Sequence, residues 1–442
     1  MRAKRDILPD TMDENDRTRD FKAVRKAATK LSLLTDDVRS AMLLDMARAF
    51  ELNSSRIIKA NGEDMEAAVH SGIPDALLHR LKLDEAKLAG AIEGVKAVAG
   101  LPCPVGRVRE RRLLDEGLVL EKVSYPIGVI GMIFEARPDA LIQIVSLAIK
   151  SANGIILKGG REAHRTNAAL VEVIRETLDG APFLMLLSSH EDVDAMLKME
   201  GDVDLIIPRG SNAFVRHVMD NTHIPVMGHA DGICSIYVDS SADIDLAVKV
   251  IVDSKVQYPA ACNAVETVLV HEAVAARLLP RLKSSLDAYG VMIHADDRSR
   301  ALMADDALVT SAVEDDFHTE YLSLQMALKV VDSLDEAIEH IAAHGSHHTD
   351  AIITSDDLAR RRFFDEVDSA DVFCNCSTRF ADGFRFGLGA EVGISTSKMH
   401  ARGPVGLDGL TTTKWLLEGH GQIVADYSGR DARRFIHEDL PL

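Results

Sequence analysis

The chain has 442 residues, of which 47% are hydrophobic, so it is long enough for about three domains with sizeable cores. Its 69 acidic residues outnumber its 50 basic residues and give a formal net charge of −19. This charge argues against nucleic acid or an anionic membrane as the main partner, and an anionic substrate would need locally clustered Lys or Arg. The five cysteines are an odd number spread thinly along the chain, which is typical of a reducing cytoplasm and not of a disulfide framework.

Residues 1–20 are polar and charged, so they do not form a secretory signal. The apolar runs are too short to cross a bilayer, and we therefore expect a cytoplasmic protein. Residues 21–100 carry apolar side chains at helical spacing, for example Val38, Met42, Met46 and Phe50, and are predicted to form amphipathic packing helices.

Residues 107–124 alternate charged and aliphatic side chains around Asp115-Glu116-Gly117, which predicts a polar β-hairpin. An isolated hairpin is at best marginally stable in water. We therefore expect it to pack against another part of the assembly, with a second subunit as the candidate, and expect a homo-oligomer.

From residue 127 the pattern changes to short apolar runs that alternate with segments of helical length. The predicted strands are 127–133, 154–157, 183–187, 203–207 and 225–227, and after 234–238 a second series follows at 266–270, 291–293, 324–331, 350–354 and 371–373, with a last strand at 422–426. Continuous apolar strands indicate parallel sheets covered on both faces, so the fold class is α/β. Such sheets bind ligands at the carboxyl ends of their strands.

Cys262 lies between a predicted helix, 244–256, and a predicted strand, 266–270. The proline and alanines around it would keep the backbone fixed but sterically open, as a nucleophile requires. The alternative is a buried structural cysteine, since free cysteines are among the most buried residues.

Two strand-to-helix junctions are candidate phosphate sites, although no G-x-G-x-x-G sequence follows a predicted strand. At the first, Lys158 could bind ribose hydroxyls and Arg161 a 2′-phosphate; the alternative is an ordinary solvated loop. At the second, Gly210 and Ser211 open a helix whose free amides suit a phosphate, or Ser211 simply caps the helix.

Two other clusters do not fit a known site. His344, His347 and His348 lack the spacing and accompanying ligands of a zinc site, and Cys374-x-Cys376 is not a C-x-x-C redox pair. We therefore expect no metal among the functional residues.

Four stretches carry a family resemblance: YPIGVIGMIFEARPDA at 125–140, KGG at 158–160, YPAACN at 258–263 and RFGLGAEVGIST at 385–396. Together they resemble the γ-glutamyl phosphate reductase family, also called glutamate-5-semialdehyde dehydrogenases, a divergent branch of the aldehyde dehydrogenase superfamily. The resemblance extends over residues 20–425. It implies NADPH-dependent reduction of γ-glutamyl phosphate to glutamate 5-semialdehyde with release of phosphate, the second step of proline biosynthesis from glutamate.

The same resemblance assigns roles to residues. Cys262 would be the nucleophile that forms a thioester, and Glu320 would hold the nicotinamide ribose. Lys158, Gly210 and Ser211 match positions that contact the ribose and phosphates of the cofactor. Arg161 stands where many NAD-linked relatives carry a glutamate, which favours NADP(H).

The chain departs from the hydrolytic relatives at two places. Their asparagine oxyanion donor is missing from 134–138, and their water-activating glutamate is missing from 226–232. A thioester on Cys262 would therefore be protected from hydrolysis, while its oxyanion donors stay unidentified. Arg137, Lys398 and Arg402 are the candidate cations for the substrate phosphate or carboxylate, although each could equally be a surface ion-pair partner.

The resemblance also implies a domain plan: a Rossmann-like cofactor-binding domain of residues 1–106 and 126–237, an oligomerisation element of 107–125 and 420–442, and a catalytic domain of 238–419. A separate glutamate 5-kinase is the implied partner. Two alternatives stay open: an NAD(P)-dependent aldehyde dehydrogenase acting on another aldehyde, and a non-catalytic scaffold of the same fold.

Overall fold

The computed structural model describes residues 14–210, 212–228, 231–303 and 306–442. The α-helices are α1 Glu14–Ser32, α2 Asp36–Leu52, α3 Ser54–His70, α4 Asp75–Leu81, α5 Glu85–Gly100, α6 Pro138–Lys150, α7 His164–Thr177, α8 His190–Met196, α9 Asn212–Asp220, α10 Ile244–Val256, α11 Glu272–Asp287, α12 Asp297–Ala301, α13 Leu334–His344 and α14 Asp357–Glu366. Short 3-10 helices are Arg161–Ala163, Glu314–His318, Thr378–Phe380, Asp408–Leu410 and Val424–Tyr427. Within these described ranges, none of the helices combines the length and the apolar character needed to cross a membrane.

The strands form four sheets. They are β1 Val108–Asp115, β2 Leu118–Pro126, β3 Val129–Ile133, β4 Gly154–Lys158, β5 Leu184–Leu186, β6 Leu205–Pro208, β7 Cys234–Val238, β8 Val265–His271, β9 Met292–Ala295, β10 Val309–Ser311, β11 Gln325–Val331, β12 Thr349–Ile353, β13 Asp371–Cys374, β14 Ile394–Ser395, β15 Gly403–Pro404, β16 Thr411–Glu418 and β17 Glu438–Asp439.

The helices predicted for the N-terminal region are confirmed as α1 to α5. Met46 and Phe50 of α2 are fully buried in the core that α2 shares with α5 and α6, whereas Val38 is 45% exposed. Thr35 caps α2, because its side chain accepts a hydrogen bond from the Val38 backbone N–H. The apolar stripe of α2 therefore begins one turn later than its sequence spacing indicates.

The first parallel sheet has the strand order β5-β4-β3-β6. Every residue of β3 and β4 is buried, as expected for a sheet covered by helices on both faces. The strand predicted at 225–227 is wrong: Val226 makes only a single bridge to Ile206, since the preceding Pro225 has no N–H to extend a ladder. The carboxyl ends of β3, β4 and β6 lead into the loops that form one wall of the site.

The second parallel sheet has seven strands in the order β10-β9-β11-β8-β7-β12-β13. β7, whose residues up to 237 were expected in the cofactor-binding domain, lies between β8 and β12 in this sheet. β8 is central, and the turn that carries Cys262 immediately precedes its amino end. The site thus lies at the amino ends of this sheet.

The predicted hairpin is confirmed as β1 and β2, and β16 extends it along the whole outer edge of β2. β16, which was expected in the catalytic domain of residues 238–419, thus pairs with the hairpin instead. The strand predicted at 422–426 is also wrong: the segment forms the 3-10 helix Val424–Tyr427, and the Tyr427 hydroxyl donates a 2.7 Å hydrogen bond to the Asp115 carboxylate at the end of β1.

Candidate active site

Cys262 lies on a short turn between α10 and β8. The Ala261 backbone N–H donates to the Tyr258 carbonyl at 3.2 Å and that of Ala264 to the Ala261 carbonyl at 2.9 Å, so the turn is held on both sides of the sulfur. Cys262 is partly exposed, whereas its neighbour Cys234 is buried, and burial raises the pKa of the Cys234 thiol well above its usual range. Of these two thiols, Cys262 is therefore the one available for chemistry.

Gly232 lies close to both the Cys262 turn and the Glu320 carboxylate. A methyl group on Gly232 would lie 2.3 Å from the Cys262 carbonyl oxygen and 2.6 Å from Glu320 Oε1. Only glycine allows both groups to approach this closely. Glu320 is thus a neighbour of the Cys262 turn, which its distance along the chain does not indicate.

Two arginines, Arg209 and Arg379, interact with Cys262 through their charges. Burial lowers the pKa of Arg209, as does the adjacent positive charge of Arg137, while the Glu391 carboxylate and a charge on Cys262 act in the opposite direction. Burial likewise lowers the pKa of Arg379, and a charge on Cys262 again opposes it. Both guanidinium groups stay cationic at neutral pH, so they are the local positive cluster that this acidic chain needs for an anionic substrate.

The two arginines are held differently. Arg379 is 9% exposed, and its Nε donates to the Gln257 side-chain carbonyl at 2.9 Å. In the part of the chain that the structure describes, no hydrogen bond or ion pair restrains the Arg209 guanidinium. The Arg209 side chain passes Gly393, where an added methyl group would lie 3.9 Å from its Cδ and Nε atoms. Arg209 is therefore free to bind an added anion.

Arg137 lies in the same cluster. Its guanidinium donates to the Asp139 carboxylate at 2.9 Å. Partial burial would lower the pKa of Arg137, but the charges of Asp139 and Glu391 raise it. Glu391 accepts a 2.7 Å hydrogen bond from the Gly383 backbone, and burial raises the pKa of its carboxyl.

Lys398 and Arg402 are occupied elsewhere. Lys398 Nζ lies 2.5 Å from one oxygen of Asp368, and Arg402 lies 3.0 Å from the other. Lys398 is also 75% exposed. Among the described residues, neither cation is hydrogen-bonded or ion-paired to Cys262, whereas the charges of Arg209 and Arg379 interact with it.

The junction after β4 borders a polar cavity of about 380 Å³. Lys158 is only 5% exposed and its ammonium donates to the Gly159 carbonyl at 2.6 Å; burial lowers the pKa of this group. Arg161, His164 and Arg165 line the same cavity. The cavity therefore concentrates basic side chains at the carboxyl edge of the sheet, where such folds bind ligands.

A second cavity of about 400 Å³ shares the Lys158–Arg161 loop and has a largely apolar lining. Two carboxylates flank it, Glu135 and Glu162. Burial and the adjacent Glu162 raise the pKa of Glu135, and Glu162 accepts a 2.6 Å hydrogen bond from the Ala136 backbone. An apolar cavity beside a basic one matches a ligand with an aromatic ring and a phosphate.

The second predicted phosphate junction is described in part. Ser211 lies outside the described residues. Gly210 is exposed after β6, and a methyl on it would come within 3.0 Å of the Glu135 carboxylate. Asn212, which sequence reasoning missed, donates a 3.1 Å hydrogen bond to Glu320 and a 2.6 Å hydrogen bond to Asp231.

Sequence reasoning also missed Arg209, Arg379 and Gly232. Arg209 directly follows β6, so the rule that parallel sheets bind ligands at their carboxyl ends could have identified it. Arg379 and Gly232 carry no such signal, because they reach Cys262 from segments far along the chain.

Comparisons with known proteins show the family to which the chain is similar. The model of the aldehyde dehydrogenase family matches residues 10–302. The γ-glutamyl phosphate reductase of Parasynechococcus marenigrum is 52% identical over 424 residues, which cover 95% of this chain and 96% of the relative. The crystal structure of γ-glutamyl phosphate reductase from Thermotoga maritima is 38% identical with a TM-score of 0.90, and the match covers 93% of this chain and 100% of that one.

A more distant structure shows the fold alone. It is glyceraldehyde-3-phosphate dehydrogenase GapN from Methanocaldococcus jannaschii complexed with NADP, with 15% identity, a TM-score of 0.66, and coverage of 93% of this chain and 96% of that one. The α/β fold expected from the sequence, with its two parallel sheets and its hairpin, is confirmed. From the extent and identity of these matches, the chain belongs to the γ-glutamyl phosphate reductases, oxidoreductases of the aldehyde dehydrogenase family.

Proposed function

We propose that this chain reduces γ-glutamyl phosphate to glutamate 5-semialdehyde and releases phosphate, the second step of proline biosynthesis. The observation that carries the proposal is the position of Cys262, a partly exposed thiol on a held turn with Arg209 and Arg379 as its charged neighbours. An acyl phosphate brings an electrophilic carbon for the sulfur and an anion for the arginines.

In the proposed reaction the Cys262 thiolate attacks the acyl carbon, the carbon–oxygen bond to the phosphate breaks, and phosphate leaves with the bonding electron pair. The product of this step is a thioester on Cys262. Arg209 and Arg379 attract the phosphate and offset the charge that it carries away, since hydrogen bonds between guanidinium and phosphate are among the strong ones. Arg137, next to Arg209, is a further candidate for the phosphate or the substrate carboxylate.

The Cys262 backbone supplies a candidate for the missing oxyanion donor. Within the described part of the chain its N–H makes no hydrogen bond, unlike those of Ala261 and Ala264 in the same turn. A free amide beside the nucleophile is a common way to stabilise the negative oxygen that forms during acyl transfer. An acyl phosphate also has a good leaving group, so its reaction needs less stabilisation of the negative oxygen than that of an amide substrate.

The aldehyde dehydrogenase family uses nicotinamide cofactors, and we propose NADP(H) for this chain. Bound cofactor in its reduced form would supply the hydride that the reduction requires. The structure fits such a ligand: Lys158, Arg161 and Arg165 line a basic cavity that would receive a 2′-phosphate, beside an apolar cavity of adequate size for the base. Glu320, held by Asn212, would accept from ribose hydroxyls near Cys262.

We further propose a homo-oligomer in the cytoplasm. β16 is an edge strand, and Trp415, Leu416 and Leu417 on it are each at least 45% exposed. Unpaired edges with apolar side chains pair readily with another chain, and a second copy is the partner proposed here. A separate glutamate 5-kinase would supply the acyl phosphate.

The test runs the reaction backwards. Glutamate 5-semialdehyde, NADP⁺ and inorganic phosphate are mixed with the protein, and NADPH is followed by absorbance. The expected result is NADPH formation that requires phosphate, its loss in Cys262→Ala, and its retention in Cys376→Ala, a matched control at another partly buried thiol.

Each alternative has its own outcome. NADPH formation that ignores phosphate would identify an NAD(P)-dependent aldehyde dehydrogenase of the hydrolytic kind. Activity that survives in Cys262→Ala would place the nucleophile elsewhere, and no NADPH under any condition would favour a non-catalytic scaffold.

A further inference from the structure

A cluster of potential metal ligands lies apart from the Cys262 turn. One carboxylate oxygen of Glu314 and one ring nitrogen each of His318 and His344 lie within 4.8 Å of one another. Glu314 and His318 are the two ends of a 3-10 helix, and His344 is the last residue of α13. The cluster therefore joins two elements that are separate in the sequence, which is why residue spacing does not reveal it.

The three histidines that lie close together in the sequence, His344, His347 and His348, have different partners in the structure. The His347 ring lies 2.7 Å from the Asp368 carbonyl oxygen, and His348 is fully buried against Thr349. Only His344 of these three faces the cluster.

Two hydrogen-bonding contacts fix the orientation of the His344 ring at the cluster. Its Nδ1 lies 2.9 Å from the His340 carbonyl oxygen, which can only accept, so Nδ1 carries the proton. The other nitrogen, Nε2, has a lone pair in the neutral ring, yet it lies 2.8 Å from Glu314 Oε1. Two lone pairs at this distance repel each other unless a proton or a metal ion lies between them.

The backbone carbonyl also orients the ring. Proteins commonly fix a metal-binding histidine by letting its second nitrogen donate to a carbonyl or carboxylate, which sets the tautomer and directs the free lone pair to the metal. His344 has this arrangement, with the lone pair directed at the carboxylate that would share the ion.

His340 packs against the cluster without being one of its three ligands. It is 5% exposed, its ring stacks on that of His344 with centroids 4.1 Å apart, and its Nε2 has no hydrogen-bond partner among the described residues. A buried ring nitrogen without a partner is costly. Its position against His344 adds a third imidazole to the surroundings of the cluster.

We propose that Glu314, His318 and His344 bind a divalent d-block cation of the zinc class. Two imidazoles and one carboxylate with a position open to water are a common ligand set for such ions. Zinc–ligand bonds of about 2.0–2.1 Å in tetrahedral geometry separate two ligand atoms by about 3.3 Å. The three ligand atoms, which lie within 4.8 Å of one another, would have to adopt this separation, and Glu314, which is 77% exposed, has room to withdraw from His344.

The bound ion would tie the 3-10 helix to α13. Glu320 lies two residues beyond His318, so the ion would also anchor the segment that brings Glu320 to the Cys262 turn. A ligand that binds only the folded protein raises its melting temperature, so metal binding is expected to stabilise the chain.

The test is a titration of chelator-treated full-length protein with ZnCl₂ by calorimetry, with CoCl₂ and visible absorbance as a second probe. One ion per chain is expected, with a tetrahedral cobalt spectrum and a higher melting temperature. Glu314→Gln and His344→Ala are each expected to weaken binding by at least about tenfold. His347→Ala is the matched control, since it removes an exposed imidazole three residues away, and it should bind like the wild type.

Thiols also bind zinc, so Cys262→Ala is titrated in parallel. Binding that is lost in Cys262→Ala but kept in His344→Ala would overturn the proposal, as would wild-type protein that binds neither ion. Circular dichroism of each variant shows that it is folded, and Glu314→Gln, a substitution at an exposed side chain, keeps the test valid if a histidine variant misfolds.

Discussion

The Asn212 side-chain amide donates a 3.1 Å hydrogen bond to the Glu320 carboxylate. Asn212 opens α9, which follows the first parallel sheet, while Glu320 belongs to the segment before β11 of the second. This bond therefore spans the cleft between the two sheets and fixes Glu320 beside Gly232 and the Cys262 turn.

Glu320→Gln tests the role of this carboxylate. If Glu320 accepts from cofactor hydroxyls, the neutral amide weakens a charge-assisted hydrogen bond, and the KM for NADPH should rise about tenfold. The KM for the acyl substrate should change little. Steady-state kinetics measure both constants, with Glu339→Gln, an exposed glutamate of α13, as the control. A rise in the KM of the acyl substrate alone would assign Glu320 to the other side of the cleft.

Gly232→Ala tests the contact between the Cys262 turn and Glu320. The added methyl would lie 2.3 Å from the Cys262 carbonyl oxygen, so the turn must move. A shift of about 1 Å in reacting groups costs about 10²-fold in rate, and we expect turnover to fall by this order.

The control variant is Gly90→Ala in α5, where nothing lies within 4 Å of the new methyl group. That control should keep full turnover and gain about 0.5–1 kcal/mol of stability, because alanine is the better helix former. Normal turnover in Gly232→Ala would show that the position of the turn is not critical.

Arg209→Ala tests whether the phosphate is bound by a cation found in the structure or by one expected from the sequence. Loss of a charge-assisted hydrogen bond worth about 1.5–3 kcal/mol should raise the KM for inorganic phosphate in the reverse reaction by about 10-fold to 100-fold. Arg402→Ala, which removes a partner of Asp368, should leave this KM unchanged. The opposite pair of results would restore Arg402 as the phosphate ligand and remove Arg209 from the site.

Asp350 gives the protein a predictable pH dependence of stability. It is fully buried at the start of β12, and burial raises the pKa of its carboxyl from 3.8 to about 6. Because the folded-state pKa lies above the unfolded-state value, the stability that Asp350 contributes is present below the unfolded pKa and is lost as pH rises through about 6. A pKa difference of this size corresponds to about 3 kcal/mol.

Asp350→Asn should remove this component. The melting temperature of the variant relative to the wild type is expected to increase between about pH 4 and about pH 7, since only the wild type must ionise a buried carboxyl. Asp357→Asn, at a side chain that is 78% exposed, should show no such trend. A difference between Asp350→Asn and the wild type that is constant with pH would mean that the carboxyl does not titrate in this range.

The sequence predicted the elements whose signal is local. β3, β4 and β8 were recognisable because short continuous apolar runs occur where a strand is buried on both faces. The turn that carries Cys262 was recognisable because a proline and small residues separate a helix from a strand.

β16 and the 3-10 helix Val424–Tyr427 show where local signals fail. Seven of the eight residues of β16 are exposed, so no alternation of burial marks it, and it exists because β2 pairs with it. The 3-10 helix replaces a predicted strand because Tyr427 bonds to Asp115 from the far end of the hairpin. Both outcomes depend on partners that are close only in the folded chain.

The sequence by itself determined the α/β class and the family and predicted the nucleophile, because each depends on neighbouring residues or on long matching motifs. The tertiary structure decided which charges act on Cys262: Arg209 and Arg379 come from different segments and both interact electrostatically with it, whereas Lys398 and Arg402 are paired with Asp368. The physical reason is that electrostatic energy depends on separation in space and on burial, and neither can be read from separation along the chain.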